Sequence, residues 1–162
     1  MHPTPHRVGC CAILFHMGHF KTSVIAVATL VLFGGGCLSG PENITVAIDI
    51  PTRVSQGETF EIIADVTNTG DETQTLDSID IGDEYIEGIA ILRSDPMYSE
   101  TFHIPLDNTM SHTIQRDIGP SETLTVTFTV EALHAGDYIG AFDVCINSGG
   151  NCLFYSIRTL VE

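Results

Sequence analysis

The stretch Thr123-Leu-Thr-Val-Thr-Phe-Thr-Val130 decides the fold class of this chain. Apolar side chains occupy every even position from 124 to 130, and threonine occupies every odd position from 123 to 129. Successive side chains of a β-strand point to opposite faces, so strict alternation indicates a strand with one buried and one solvated face. Threonine is β-branched and polar, which suits the exposed face of a sheet. The stretch therefore predicts a half-buried β-strand.

Two segments nearer the N-terminus alternate in the same way. Their predicted inward residues are Ile44, Val46, Ile48 and Ile50 in the first segment and Phe60, Ile62, Ala64 and Val66 in the second. Between residues 73 and 116 the pattern predicts strand residues without fixing the order of the strands in the sheets: Ile79, Ile81, Ile86, Ile89, Ile91, Phe102, Ile104 and Leu106. No segment after residue 36 shows the 3.6-residue apolar period of a helix. The sequence thus predicts an all-β domain over residues 43–162.

A leader precedes this β-rich region. Lys21 is followed by the apolar run Thr22–Phe33, and three glycines then lead to Cys37. A basic residue, about a dozen apolar residues and a small-residue cleavage site are typical of an export signal. The run is short for a spanning helix, which needs about 20 residues. We predict a signal peptide over residues 1–36, with Met17 as an alternative start of translation.

Gly34-Gly-Gly-Cys37 resembles the lipobox of prokaryotic lipoproteins, whose cysteine is lipidated and becomes the mature N-terminus. The resemblance implies a lipid on Cys37, a short tether over residues 37–42, and attachment to the membrane on its periplasmic or extracellular face. Lipoboxes usually carry leucine three residues before the cysteine, where this chain has Gly34. Ordinary cleavage near Gly36 and an uncleaved N-terminal anchor helix are the alternatives.

The charge of the chain limits its partners. The formal net charge is −15, and all 21 acidic residues lie after residue 36. Such a surface repels the phosphate backbone, so we expect no binding to nucleic acid. It suits basic partners, divalent cations or high salt.

The last two predicted strands form a hairpin. If Ser148-Gly149 makes a two-residue turn, in which glycine tolerates positive φ, Cys145 lies directly opposite Cys152. The same register also aligns the apolar residues of the two strands, namely Val144 with Leu153 and Phe142 with Tyr155. An exported chain meets oxidising conditions, so one register satisfies both the hydrophobic pattern and a disulfide. We predict a Cys145–Cys152 disulfide.

Two segments resemble the immunoglobulin-like modules of the CARDB type, which occur on prokaryotic surface proteins. The first is Gly57–Asp71, in which a strand ends in the turn Asn68-Thr-Gly70, and the second is Ile118–Val126 followed by Ala135-Gly-Asp-Tyr138. The resemblance implies an antiparallel β-sandwich of seven or eight strands that presents, spaces or binds. It implies no catalysis, because fold does not carry function.

Candidate catalytic and metal-binding residues are few. Asp107, Ser111 and His112 are the residue types of a hydrolase triad, but they lie in a polar stretch that we predict to be a loop, and no Gly-x-Ser-x-Gly motif is present. His103, His112 and His134 match no zinc-ligand spacing. We therefore predict no catalytic residue and no cofactor.

The acidic run after the second strand contains the candidate calcium ligands, which are Asp77, Asp80, Asp83 and Glu84. Calcium prefers clustered oxygen ligands, although this spacing departs from the EF-hand template. The alternative is a solvated face whose charges discourage edge-to-edge strand pairing. Asn43-Ile-Thr45 is an N-glycosylation sequon beside the tether.

These observations together predict an exported, lipid-anchored, non-enzymatic binding or assembly module of the cell envelope. Its expected partners are the membrane, through the lipid on Cys37, and an envelope protein or polysaccharide. Three alternatives stay open: an accessory subunit of a surface filament or secretion machine held by an uncleaved helix, a calcium-dependent adhesion module, and a small hydrolase.

Overall fold

A computed structural model describes residues 41–148 and 151–162 of the chain. The predicted signal peptide, Met17 and the lipidation site at Cys37 lie outside the described residues. A single four-residue helix, α1 (Asp83–Ile86), occurs in the described part, where no helix has the length and apolar character of a membrane span. The remaining elements are strands: β1 (Ile44–Asp49), β2 (Arg53–Val54), β3 (Thr59–Asn68), β4 (Gln74–Gly82), β5 (Ile89–Asp95), β6 (Glu100–Ile104), β7 (Thr109–Ile118), β8 (Thr123–Ala132), β9 (Gly136–Ile146) and β10 (Asn151–Val161).

The strands form two sheets, of order β1-β3-β8-β5 and β2-β10-β9-β4-β7-β6. Every pairing is antiparallel except that of β2 with β10. The first order corresponds to the A-B-E-D sheet of an immunoglobulin domain, and β10-β9-β4 corresponds to its G-F-C sheet. In this chain β5 precedes β6 and β7, whereas the immunoglobulin order would place it after them. The predicted immunoglobulin-like β-sandwich is confirmed, with ten strands in the described residues rather than seven or eight.

The alternation seen in the sequence places the core between the two sheets. The predicted inward residues of β3 are all buried, and Val126, Phe128 and Val130 of β8 are completely buried. Phe128 meets Phe142 of the other sheet edge to face, with 6.4 Å between ring centroids. The threonines of β8 face away from this core, as predicted, because successive side chains alternate between faces.

Two residues between 73 and 116 depart from the prediction. Ile86 belongs to α1, where the Glu87 amide donates to the Asp83 carbonyl oxygen and closes one helical turn. Acidic residues in the first turn favour this helix, because its N-terminus carries partial positive charge. Leu106 lies in the turn between β6 and β7 and is 90% exposed. Apolar character alone therefore did not distinguish strand residues from residues in turns.

Two buried polar side chains tie the sandwich together. The Asn68 amide nitrogen donates to the carbonyl oxygens of Glu72 and Ile118, and its oxygen accepts from the Gly70 amide. The Tyr85 hydroxyl lies 2.9 Å from the hydroxyl of Thr159, which donates to the carbonyl oxygen of Pro51. Burial raises the pKa of Tyr85 to about 12, so its hydroxyl stays protonated.

Candidate functional site

The terminal hairpin has the predicted register. Cys145 pairs with Cys152 and forms a disulfide, with the two Cα atoms 4.0 Å apart. The apolar residues pair as predicted, with Val144 opposite Leu153 and Phe142 opposite Tyr155. The ladder reaches Ile146 and Asn151, and Gly149 of the predicted turn lies outside the described residues. The hairpin therefore fixes which side chains of β9 and β10 point away from the core.

Four strand pairings align five residues across the outer face of the six-stranded sheet. Phe154 of β10 pairs with Asp143 of β9, and Asp143 pairs with Asp80 of β4. Asp80 pairs with Ser111 of β7, which pairs with Phe102 of β6. Directly opposite residues point to the same face of a sheet. We call Phe154, Asp143, Asp80, Ser111 and Phe102 the cross-sheet row.

The row faces away from the core, and its middle is shielded from water. The flanking residues Ile79 of β4 and Phe142 of β9 are core residues, so the row points outward. Phe154 and Phe102 at its ends are 75% and 51% exposed, whereas Asp80 is 8% exposed. Polar side chains thus lie in a sheltered centre between two accessible aromatic rings.

Asp80 and Asp143 lie opposite each other on neighbouring strands at this centre, and the charge of Asp107 also acts on Asp143. The pKa of Asp143 is raised to about 6 by its partial burial and by the neighbouring charges of Asp80 and Asp107. Asp107 belongs to the turn 105–108 between β6 and β7, so this turn brings a third acid towards the row. We call Asp80, Asp107 and Asp143 the acidic cluster.

Two buried oxygen atoms beside the acidic cluster lack hydrogen-bond partners. They are Asp80 Oδ1 and Thr109 Oγ1. Thr109 precedes Ser111 by two residues on β7, so both point to the outer face. Asp80 Oδ2 lies 3.5 Å from Cys145 Sγ, but a disulfide sulfur carries no hydrogen, so this contact is not a hydrogen bond. Unsatisfied buried polar atoms are uncommon and costly, which sets this centre apart from an ordinary solvated sheet face.

No basic side chain in residues 41–148 and 151–162 forms an ion pair with the acidic cluster. The two arginine ion pairs of this region join Arg53 with Glu162 and Arg158 with Asp137, and the contact of His103 with Asp83 involves no cluster residue either. The negative charge of the cluster is therefore uncompensated within the described chain.

The four calcium candidates lie in different surroundings. Asp77 accepts a hydrogen bond from the Gln115 amide, Asp83 lies 2.6 Å from His103 Nε2, and Glu84 belongs to α1. Only Asp80 belongs to the acidic cluster. Within the described ranges, no three histidine, cysteine or acidic side chains are grouped to hold a metal ion. Asn43 of the sequon is exposed just before β1, and its glycosylation stays a prediction.

The triad residues do not converge. Ser111 and His112 belong to β7 and not to a loop, and as successive strand residues they point to opposite faces. His112 is 2% exposed and packs between the rings of Tyr98 and Phe128. Burial lowers the pKa of His112, which keeps its imidazole neutral. The three histidines are likewise apart, because His134 lies in the turn between β8 and β9 and His103 pairs with Asp83.

No family model matches the chain, and no curated protein matches it. Over 74% of its length the chain is similar to native Escherichia coli alpha-2-macroglobulin, with 15% identity and a TM-score of 0.49, and it spans 7% of that protein. Its similarity to the CARDB domain of the Pyrococcus furiosus PF1109 protein, in complex with di-metal ions, covers 77% of this chain and 96% of that one, with 19% identity and a TM-score of 0.46. AvmM, which catalyses macrocyclization in alchivemycin A biosynthesis, is 10% identical with a TM-score of 0.49, over 74% of this chain and 90% of AvmM.

A CARDB domain is thus among the similar structures, in line with the resemblance seen in the sequence. The identities and TM-scores are too low to transfer any activity or ligand to this chain, because one architecture hosts many functions.

The sequence did not indicate Asp143 as a site residue, and it indicated Asp107 only as a triad candidate. Both lie outside the acidic run 71–87, which supplied the calcium candidates. One signal was available, because the predicted hairpin register already sets Asp143 beside Phe154 on the outer face. The pairing of β9 with β4, which adds Asp80, comes from the tertiary structure.

Proposed function

We propose that this chain is an exported, lipid-anchored, non-enzymatic module that binds a protein partner of the cell envelope through the outer face of its six-stranded sheet. The observation that carries the proposal is the cross-sheet row, with an exposed phenylalanine on each side of a sheltered acidic centre. Aromatic side chains are enriched among the residues that contribute most to binding at protein interfaces. The row therefore offers a surface for a partner.

The non-enzymatic part of the proposal has separate support. Ser111 and His112 point to opposite faces of β7, so they do not form a nucleophile and base pair. The buried imidazole of His112 contacts aromatic rings on the core side. These placements favour a binding role over a hydrolytic one.

Export and lipid attachment rest on the leader sequence. Mass spectrometry of the native, membrane-extracted protein tests them. We expect the mass of residues 37–162 plus a diacylglycerol group on Cys37. An unmodified chain starting at Met1 or Met17 would contradict lipid anchoring and favour the filament or secretion subunit held by an uncleaved helix.

Site-specific photo-crosslinking in living cells tests the binding face. Benzoylphenylalanine replaces Phe154 in one variant and Glu61, an exposed residue on the outer face of the other sheet, in a matched control. We expect one discrete protein adduct from position 154, and we expect Phe102→Ala to abolish it. Identical adducts from both positions, or none from position 154, would count against this face as the binding surface.

A further inference from the structure

We infer that the acidic cluster receives the guanidinium group of an arginine side chain on the protein partner. This inference rests on the proposed function, and it adds the chemistry by which the partner is recognised. The partner that binds the cross-sheet row is thus a protein that presents an arginine side chain.

The first argument is charge complementarity. Asp80 and Asp143 lie directly opposite each other on β4 and β9, and neither they nor Asp107 form an ion pair among the described residues. Carboxylates brought together without a counter-charge repel one another. A cation from a partner removes this repulsion, so complex formation gains free energy at this position.

The second argument is the unpartnered oxygens. Asp80 Oδ1 and Thr109 Oγ1 are buried on the same outer face with no donor directed at Asp80. Both oxygens are enclosed, so a guanidinium group bound nearby acts on the unpartnered Asp80 oxygen through its charge rather than through a direct hydrogen bond. Asp143 is more accessible than Asp80, so we expect direct contact at Asp143, with the charge of Asp80 beneath it.

The third argument is the aromatic ring beside Asp143. Phe154 pairs with Asp143 on the neighbouring strand and is 75% exposed, whereas Phe102 lies four strands away at the other end of the cross-sheet row. A guanidinium group stacks on aromatic faces and is weakly hydrated, whereas a lysine ammonium is a compact and strongly hydrated charge. Calcium binds about six to eight oxygen ligands, and an aromatic ring supplies none. The combination of acids with this ring therefore favours arginine.

Peptide binding tests the inference on the folded chain. Backbone amide NMR shifts would follow titration with acetyl-Gly-Arg-Gly-amide at low ionic strength and pH 7.5, in parallel with the isosteric citrulline peptide and the lysine peptide. We expect saturable shifts at residues of the cross-sheet row. We expect the citrulline peptide, which lacks the charge, to bind at least about tenfold more weakly, since a charge-assisted contact is about twice as strong as a neutral one.

Matched variants locate the site. Asp143→Asn and Phe154→Ala should each weaken arginine-peptide binding by about threefold to tenfold, whereas Asp49→Asn, the same chemical change on exposed β1, should leave it unchanged. Phe154 is 75% exposed, so its replacement tests the same site without changing the net charge or the packing of the core. If Asp49→Asn weakened arginine-peptide binding by the same factor, the effect would come from the overall charge of the domain, and the inference would be overturned.

Two other outcomes would also overturn the inference. One is equal binding of the arginine and citrulline peptides. The other is complete displacement of the arginine peptide by sub-millimolar calcium, with calcium-induced NMR shifts at the same residues.

The crosslinking experiment separates this inference from the proposed function. A position-154 adduct that persists without any arginine preference would refute arginine recognition and leave the binding face standing.

Discussion

Replacing Asp143 by asparagine should stabilise the fold at neutral pH and leave it unchanged in acid. The folded pKa of Asp143 is raised to about 6 from 3.8, because the carboxyl is partly buried beside Asp80 and Asp107. A group with a raised folded pKa contributes full stability below its unfolded pKa, and that stability is lost as pH rises through the folded value. Asparagine carries no charge at any pH, so the substitution removes this loss.

The size of the effect follows from the shift. A shift of about two pKa units corresponds to roughly 3 kcal/mol, at about 1.4 kcal/mol for each unit. Asp143 is only half-buried, so solvent screening reduces this value, and we expect a gain of about 1 to 2 kcal/mol at pH 7.5. For a domain of this size the gain corresponds to a rise in Tm of about 4 to 8 °C.

Thermal and urea unfolding at pH 3.0, below the unfolded pKa of 3.8, and at pH 7.5 measure the effect. Each variant is compared with the parent chain at the same pH, so that the titration of the other acids cancels. Asp49→Asn is the matched control, because Asp49 is exposed at the end of β1 and no described side chain hydrogen-bonds to it. We expect the control to change stability by less than about 0.5 kcal/mol at either pH.

Two results would refute this reasoning. A gain of the same size at both pH values would assign the effect to packing rather than to charge. A gain in Asp49→Asn equal to that of Asp143→Asn would assign it to the net negative charge of the whole domain and not to the acidic cluster.

Three further substitutions test the ties that hold the sandwich together. Asn68→Ala should lower the free energy of unfolding by about 2 to 3 kcal/mol, because buried backbone groups lose their partners, and parent-like urea unfolding would disprove that role. Tyr85→Phe should cost about 1 kcal/mol through the lost hydrogen bond to Thr159, with no change expected if that bond is absent in solution. The double variant Cys145→Ser, Cys152→Ser should cost at most about 2.5 kcal/mol in thermal unfolding, because the closed loop is short, and a much larger loss would mean that the disulfide fixes more than the hairpin.

The strands were largely predictable, because their signal is local. Alternation in Thr123–Val130 depends only on side chains that point to opposite faces. The predicted inward residues of β3 and β8 are buried, except Leu124, which is partly buried and packs against the core. The terminal hairpin was predictable for a related reason, since its two strands are adjacent in the chain and one register satisfies both Cys145 and Val144. The short helix at Ile86 and the exposed Leu106 were mispredicted, because single apolar residues in turns carry no periodicity.

The sequence by itself determined an all-β domain over residues 43–162, the face that each clear strand buries, and the disulfide of the last hairpin. Only the tertiary structure decided that β9 pairs with β4, β4 with β7, and β7 with β6, which aligns Asp143, Asp80 and Phe102 on one outer face. The reason is physical. Alternation fixes the face of the sheet to which each side chain of a strand points. Which strand lies beside it depends on how the two sheets pack over the whole core. The acidic cluster forms only through those long-range pairings.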